Sequence, residues 1–134
     1  MKHEMRTRRN DLLSGKVIKV LASRNMTGYY AKTGEEALRI ALSLIPEGST
    51  VTRGGCMSAA QIGLDDALQA GNYTFVDRDK TEDKRKAALM AYDCDVFIAS
   101  ANAMTEDGVL VNIDGNANRV SAIAFGPRKV IFIV

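Results

Sequence analysis

Two stretches of this chain concentrate the residue types that chemistry uses. The first is Thr52-Arg53-Gly54-Gly55-Cys56-Met57-Ser58. It follows a short β-prone run and leads into residues with helical spacing, so it reads as a strand-to-helix turn. Glycines let a backbone approach a ligand closely, and free amides at a helix start carry partial positive charge. Arg53, Gly54, Gly55 and Ser58 are therefore candidate ligands for a phosphate, carboxylate or carbonyl oxygen. The alternative is an ordinary tight turn. No Gly-Lys-Ser/Thr follows, and the three-glycine dinucleotide spacing is absent, so neither nucleotide fingerprint applies. Cys56 beside a helix start is a nucleophile only as a thiolate. The sole histidine is His3, at the far N-terminus, so the expectation is a structural or merely exposed thiol.

The second stretch runs from Ser100 to Arg119 and holds four asparagines, three carboxylates, two Asp-Gly pairs and an arginine. Asp107-Gly108 is turn chemistry, suited to a hairpin. Asn102, Asn112, Asp114 and Asn118 flank or interrupt apolar runs and would cost free energy if buried alone. Either they form an internal polar network or they line a cleft, and their number favours the cleft. Asp114 is the candidate base or acid, with Glu106 as a second carboxylate. Arg119, at a helix start, would clamp an anion or pair with Asp114. With Thr105 in the turn, Asn102, Asn112, Asn118 and Arg119 form the ligand-binding set of this loop. The oxygen ligands lack the spacing of a calcium loop, and no metal is expected.

These loops need elements to hold them. Leu12, Leu13, Val17, Val20 and Leu21 recur at helical spacing, predicting a helix over Thr7–Ser23. Met26–Ala31 reads as a short strand. Thr33 with Glu36 forms a capping box ahead of a helix whose stripe is Ala37, Leu38, Ala41, Leu42 and Ile45. Ser58 with Gln61 reads as a second box, opening a helix that Gly71 stops. Strands are expected at Thr50–Thr52, Tyr73–Val76, Val96–Ala99, Val109–Ile113 and Lys129–Val134, with helices at Thr81–Tyr92 and Asn118–Phe125. The alternation predicts an α/β fold, a mostly parallel sheet flanked by helices. Between Asn102 and Asn118 the alternation breaks, because two strands there are joined without a helix.

Composition bounds the function. The chain has 134 residues and 46% hydrophobic content, enough for a single domain over 1–134, with residues 1–10 expected to be mobile. Eighteen basic residues against sixteen acidic ones are too balanced to imply nucleic acid or an anionic membrane. Cys56 and Cys94 form neither a CxxC pair nor a metal spacing, as suits a reduced cytoplasmic protein. The N-terminus lacks the apolar run of a secretory signal, and no apolar stretch is long enough to span a bilayer.

At its two loops the chain resembles the LUD domain family, named for lactate utilisation. The residues that carry the resemblance are Glu35-Glu36-Ala37-Leu38, Ile45-Pro46-Glu47-Gly48, Gly54-Gly55 with Ser58 and Ile62-Gly63, and Ser100-Ala101-Asn102-Ala103 with Thr105-Glu106-Asp107-Gly108. It continues through Val111-Asn112-Ile113-Asp114-Gly115, Asn118-Arg119-Val120 and Phe125-Gly126-Pro127 to Lys129-Val130-Ile131. The resemblance implies a fold like the sugar-phosphate isomerase and CoA-transferase superfamily, whose members bind phosphorylated or CoA-linked substrates around a Gly-rich and an Asp/Asn-rich loop. It also implies a role beside iron–sulfur and oxidoreductase subunits in oxidising lactate to pyruvate. No cofactor and no catalytic residue transfers with it. Cys56 stands where the family usually has a small hydroxyl residue. Family members usually continue past the position of Val134 with a Gly-x-Asn-Lys-type segment and a further helix; if that helix supplies part of the cleft, the resemblance implies either an incomplete site or a piece borrowed from another subunit, such as a second copy in a homo-oligomer.

Three functions follow. The first is a LUD-type domain that binds a small anionic metabolite and supports lactate or related organic-acid oxidation. The second is an isomerase or transferase using Asp114 or Glu106. The third is a non-catalytic accessory domain whose terminal strand pairs with another protein.

Overall fold

The computed structural model describes every residue from Met1 to Val134. Helix α1 spans Lys2–Ser23 and α2 Gly34–Ser43; strand β1 is Thr50–Arg53; α3 is Met57–Gln61 and α4 Leu64–Ala70; β2 is Thr74–Val76, α5 Lys84–Met90 and β3 Val96–Ala99. Then come β4, Ala103–Met104, β5, Leu110–Val111, α6, Asn118–Ala124, and β6, Lys129–Phe132. Four strands form one parallel sheet in the order β2-β1-β3-β6, and β4 and β5 form a separate antiparallel hairpin.

Strand periodicity sorts the core into two faces. Val96 and Ile98 of β3 join Val51, Ile131, Cys56, Ala59, Leu64 and Leu68 under α2, α3 and α4. Their alternates Phe97 and Ala99 pack with Ala91, Cys94 and Ala122 on the side of α6. All four residues of β3 are buried, which is why that run is apolar throughout instead of alternating. Buried Thr52 faces the second cluster, and its hydroxyl reaches Cys94 Sγ at 3.3 Å.

The local signals hold at several termini. The Thr33 hydroxyl accepts from the Glu36 amide at 3.1 Å, while the Glu36 carboxylate reaches back to the Lys32 amide, one residue before the cap. Asp83 caps α5 through the Lys86 amide, so that helix starts later than Thr81.

Other expectations are corrected. Helix α1 begins at Lys2 instead of Thr7, although its residues from Lys2 to Leu12 are all exposed. Met26–Ala31 is not a strand, because it pairs with no other strand. Ser58 does not cap a helix, because Cys56 is the cap position of α3 and no side chain bonds there. The expected single helix from Ser58 to Gly71 is split at Gly63, whose φ of +80° is left-handed. Val109–Ile113 contributes only Leu110 and Val111, to the hairpin, not to the main sheet. No helix is long and apolar enough to cross a membrane.

Candidate functional site

The sheet order creates the site. From the end of β1 the chain runs through α3 and α4 to β2 on one side. From the end of β3 it runs through the hairpin and α6 to β6 on the other. Connections leaving adjacent parallel strands in opposite directions open a crevice at their carboxyl ends, where open α/β sheets gather ligands. Both loops singled out above lie at that crevice: Gly54-Gly55 ends β1, and Ser100–Asn102 follows β3. The Gly54 amide donates to Ile98 O at 3.0 Å, tying the first loop to β3.

Arg119 organises the second loop. Its side chain is 10% exposed. Nε donates to Asp114 Oδ1 at 3.0 Å, Nη1 to Ser100 O at 3.3 Å, and Nη2 to Ile113 O at 3.3 Å and to Asn102 Oδ1. Asp114 Oδ2 accepts the Val120 amide at 2.7 Å, and Asn102 Oδ1 also accepts the Ile113 amide at 2.9 Å. One guanidinium thus gathers the chain after β3, the loop after β5 and the start of α6. The stem of Arg119 lies against Gly54, where a Cβ would come within 3.1 Å of Arg119 Cγ and of Phe97 Cζ. A side chain at position 54 would force these neighbours to give, because the two loops meet at the Gly54 backbone. Gly55 faces open space, with nothing within 4 Å of where its Cβ would stand.

The remaining predicted residues are dispersed. Asn112 is half-buried with its side-chain oxygen unpartnered, while Asn118 heads α6 and accepts at its carbonyl from Ser121. Thr105 closes the hairpin: its hydroxyl accepts the Val109 amide at 3.0 Å. Glu106 is exposed at the hairpin tip, 3.6 Å from Arg9 of α1. Gly108 packs on the same helix, beside Val20 and Leu21. The structure therefore brings Asn102, Asp114 and Arg119 together, sets Gly54 against them, and leaves Glu106 on the α1 side of the hairpin. Two surface hollows, of about 340 and 430 Å³, are lined by Ile18–Gly28 residues and by α2, away from the crevice.

Arg53 points to the other flank. Its side chain, 9% exposed, sits among three carboxylates: Asp65 of α4 at 3.1 Å, and Asp77 and Asp79 beyond β2, each at 3.2 Å. Neither Arg53 Nε nor Asp65 Oδ1 has a hydrogen-bonded partner, despite the close ion pair. Burial pushes the Asp65 carboxyl above the usual range, against the pull of Arg53. Sequence reasoning missed these aspartates, which read as ordinary surface charge. No spacing in the sequence signals them; in the structure Thr52 pairs with Val76, so one step further places Arg53 beside Asp77. Cys56 is fully buried and burial raises its thiol pKa, which keeps it protonated. No group of three or more His, Cys, Asp or Glu side chains is disposed to hold a metal ion.

A parallel sheet flanked by helices, with a glycine loop and a buried polar network at its switch point, defines an α/β domain. The LUD domain model matches residues 15–134, and the chain belongs to that family. No curated protein and no solved structure matches the chain.

Proposed function

We propose that this LUD-domain protein binds a small anionic metabolite in the crevice between β1 and β3. In that role it supports oxidation of lactate to pyruvate, or a related organic-acid conversion, beside an iron–sulfur or oxidoreductase partner subunit. The observation that carries the reading is the meeting of Gly54 with the Arg119 stem at the switch point. There the backbone of one loop and the Asn102–Asp114–Arg119 network of the other form adjoining walls. Arg119 supports a ligand by fixing those walls, since Asp114 already neutralises it.

The test is a thermal-shift titration with lactate and pyruvate, alongside sugar phosphates and CoA thioesters. A ligand at a hundred times its dissociation constant stabilises by about 2.7 kcal/mol. Gly55→Val, at a position with open space around it, is expected to fold normally and lose the shift. A sugar phosphate or CoA thioester that shifts the protein while lactate and pyruvate do not would replace this reading with the isomerase or transferase one.

The accessory-domain reading has one observation behind it. Strand β6 pairs only with β3 and is an edge of the sheet, so its outer backbone groups face away from any partner strand. A stable complex that a proline at Val130 abolishes, with no small-ligand shift, would select it.

A further inference from the structure

The near balance of charge over the whole chain hides a segregation. Helix α1 carries six of the eighteen basic residues but only two of the sixteen acidic ones, Glu4 and Asp11. Its C-terminal half packs on the domain: Val17 is buried, and Val20 and Leu21 lie against Gly108 of the hairpin. From Lys2 to Leu12 every residue is exposed. Met1, Met5, Arg8, Leu12, Lys16 and Lys19 follow one another at steps of three or four residues, so they form one stripe along the helix and its cap. All six are exposed, with Met1, Met5 and Leu12 at 93%, 68% and 72%. At about 100° per residue the stripe is centred about 140° from Val17, on the side turned away from the domain. Neither acidic residue belongs to it, and Asp11 is drawn to Lys32, 3.7 Å away. Arg9, beside the stripe, pairs with Glu106, whereas Arg8, Lys16 and Lys19 form no ion pair.

We propose that this stripe is a docking surface for an anionic lipid bilayer, on which α1 lies parallel to the membrane plane. An interfacial helix sets apolar side chains at the boundary of headgroups and acyl chains, with cations beside the lipid phosphates. Met1, Met5 and Leu12 supply the first. Arg8, Lys16 and Lys19 supply the second, their apolar stems following the same line while the charged heads turn out to the phosphates. A stripe with three cations and no acid is complementary to an anionic leaflet. Between Met1 and Leu12 it runs about 16 Å along a convex helix surface, a shape that meets a flat bilayer and offers no pocket to a folded partner. Docking requires no unfolding, because the packed face of α1 points the other way. The helix is not long and apolar enough to cross a membrane, so it lies on the surface. The inference does not depend on what the crevice binds.

The test is co-sedimentation of the full chain with vesicles of phosphatidylcholine alone and of phosphatidylcholine mixed with phosphatidylglycerol, at low and high salt. Two variants separate the two contributions. Met5→Gln with Leu12→Gln removes apolar surface and leaves the charge unchanged; Arg8→Gln with Lys16→Gln and Lys19→Gln removes the cations. Every replaced side chain is exposed, and circular dichroism would confirm equal folding. Wild type is expected to bind the anionic vesicles at least about tenfold more tightly than the neutral ones, with the preference shrinking at high salt. Each variant is expected to lose about tenfold or more in affinity for the anionic vesicles. Wild type that ignores anionic vesicles at low salt, or binds neutral ones equally well, overturns the proposal. So does unchanged binding by the Met5 and Leu12 variant, which would show that no side chain enters the lipid. Soluble polyglutamate is the last arm: if it binds wild type while the vesicles do not, α1 meets an acidic protein and the membrane proposal falls.

Discussion

The backbone of Gly54 rests on the side-chain stem of Arg119, and a Cβ at position 54 would stand 3.1 Å from Arg119 Cγ. The neighbours have little room to give. Arg119 is held by four acceptors, and Phe97, on the other side, is 2% exposed. Gly54→Ala is therefore expected to cost about 1–3 kcal/mol, the usual range for overpacking. Urea unfolding measures it. A variant as stable as wild type would show that the loops can part at no cost.

Arg119 and Asp114 form a nearly buried pair, with side chains 10% and 12% exposed. Removing one member leaves the other without compensation. Arg119→Met is expected to destabilise by about 3–5 kcal/mol. Asp114→Asn, which keeps an oxygen for the Val120 amide, should cost about 1–3 kcal/mol. The double variant should be more stable than the sum of the two predicts, with a coupling of about 0.5–3 kcal/mol. Strict additivity would mean that the two residues act independently.

Burial holds the Asp65 carboxyl above the ordinary range, with Arg53 pulling the other way. A folded-state pKa above the unfolded one contributes stability that is fully present below the unfolded value. That contribution is lost as pH rises through the folded one. Asp65→Asn does not titrate, so the variant should gain stability relative to wild type as pH rises from the ordinary carboxylate range through mildly acidic values. Unfolding free energies at a series of pH values check this. A wild-type-minus-variant difference that is flat, or that slopes the other way, would mean that burial does not raise the Asp65 pKa.

Cys56 and Cys94 are both buried free thiols, and burial raises the pKa of each. Neither should react with Ellman's reagent in the native state at neutral pH, and both should titrate in denaturant. Rapid modification of one thiol without unfolding would show that its cover opens locally.

Much of the scaffold was legible because it depends on local rules. The Thr33 and Glu36 signals act within one helical turn, and the Thr33 hydroxyl does cap α2. Asp107-Gly108 called for a hairpin turn, and Gly108 takes the φ of +77° that such a turn needs. The apolar run Val96–Ala99 had to be buried on both faces, and it is. Alternating strand and helix signals sufficed for a mostly parallel sheet, since parallel neighbours need a crossover between them. The LUD relationship was legible in the loops themselves and spans residues 15–134.

What the sequence determined by itself was thus most of the helices and the strands of the main sheet, their order, and the two loops that carry the polar residues. Where the polar side chains point was decided only by tertiary structure. The chain listed asparagines, an aspartate and an arginine between Ser100 and Arg119, and both a cleft and an internal network fitted that list. Folding made Arg119 the hub of a network, because α6 and the loop after β5 set Asp114 3.0 Å from its guanidinium. Likewise, no sequence spacing links Arg53 to Asp65 and Asp77. They converge because β1 and β2 lie side by side in parallel register while α4 packs across their ends. Hydrogen bonds and ion pairs act over a few ångströms in space, whatever the separation along the chain. Their partners are therefore fixed by sheet order and helix packing, and those settle only when the whole core closes.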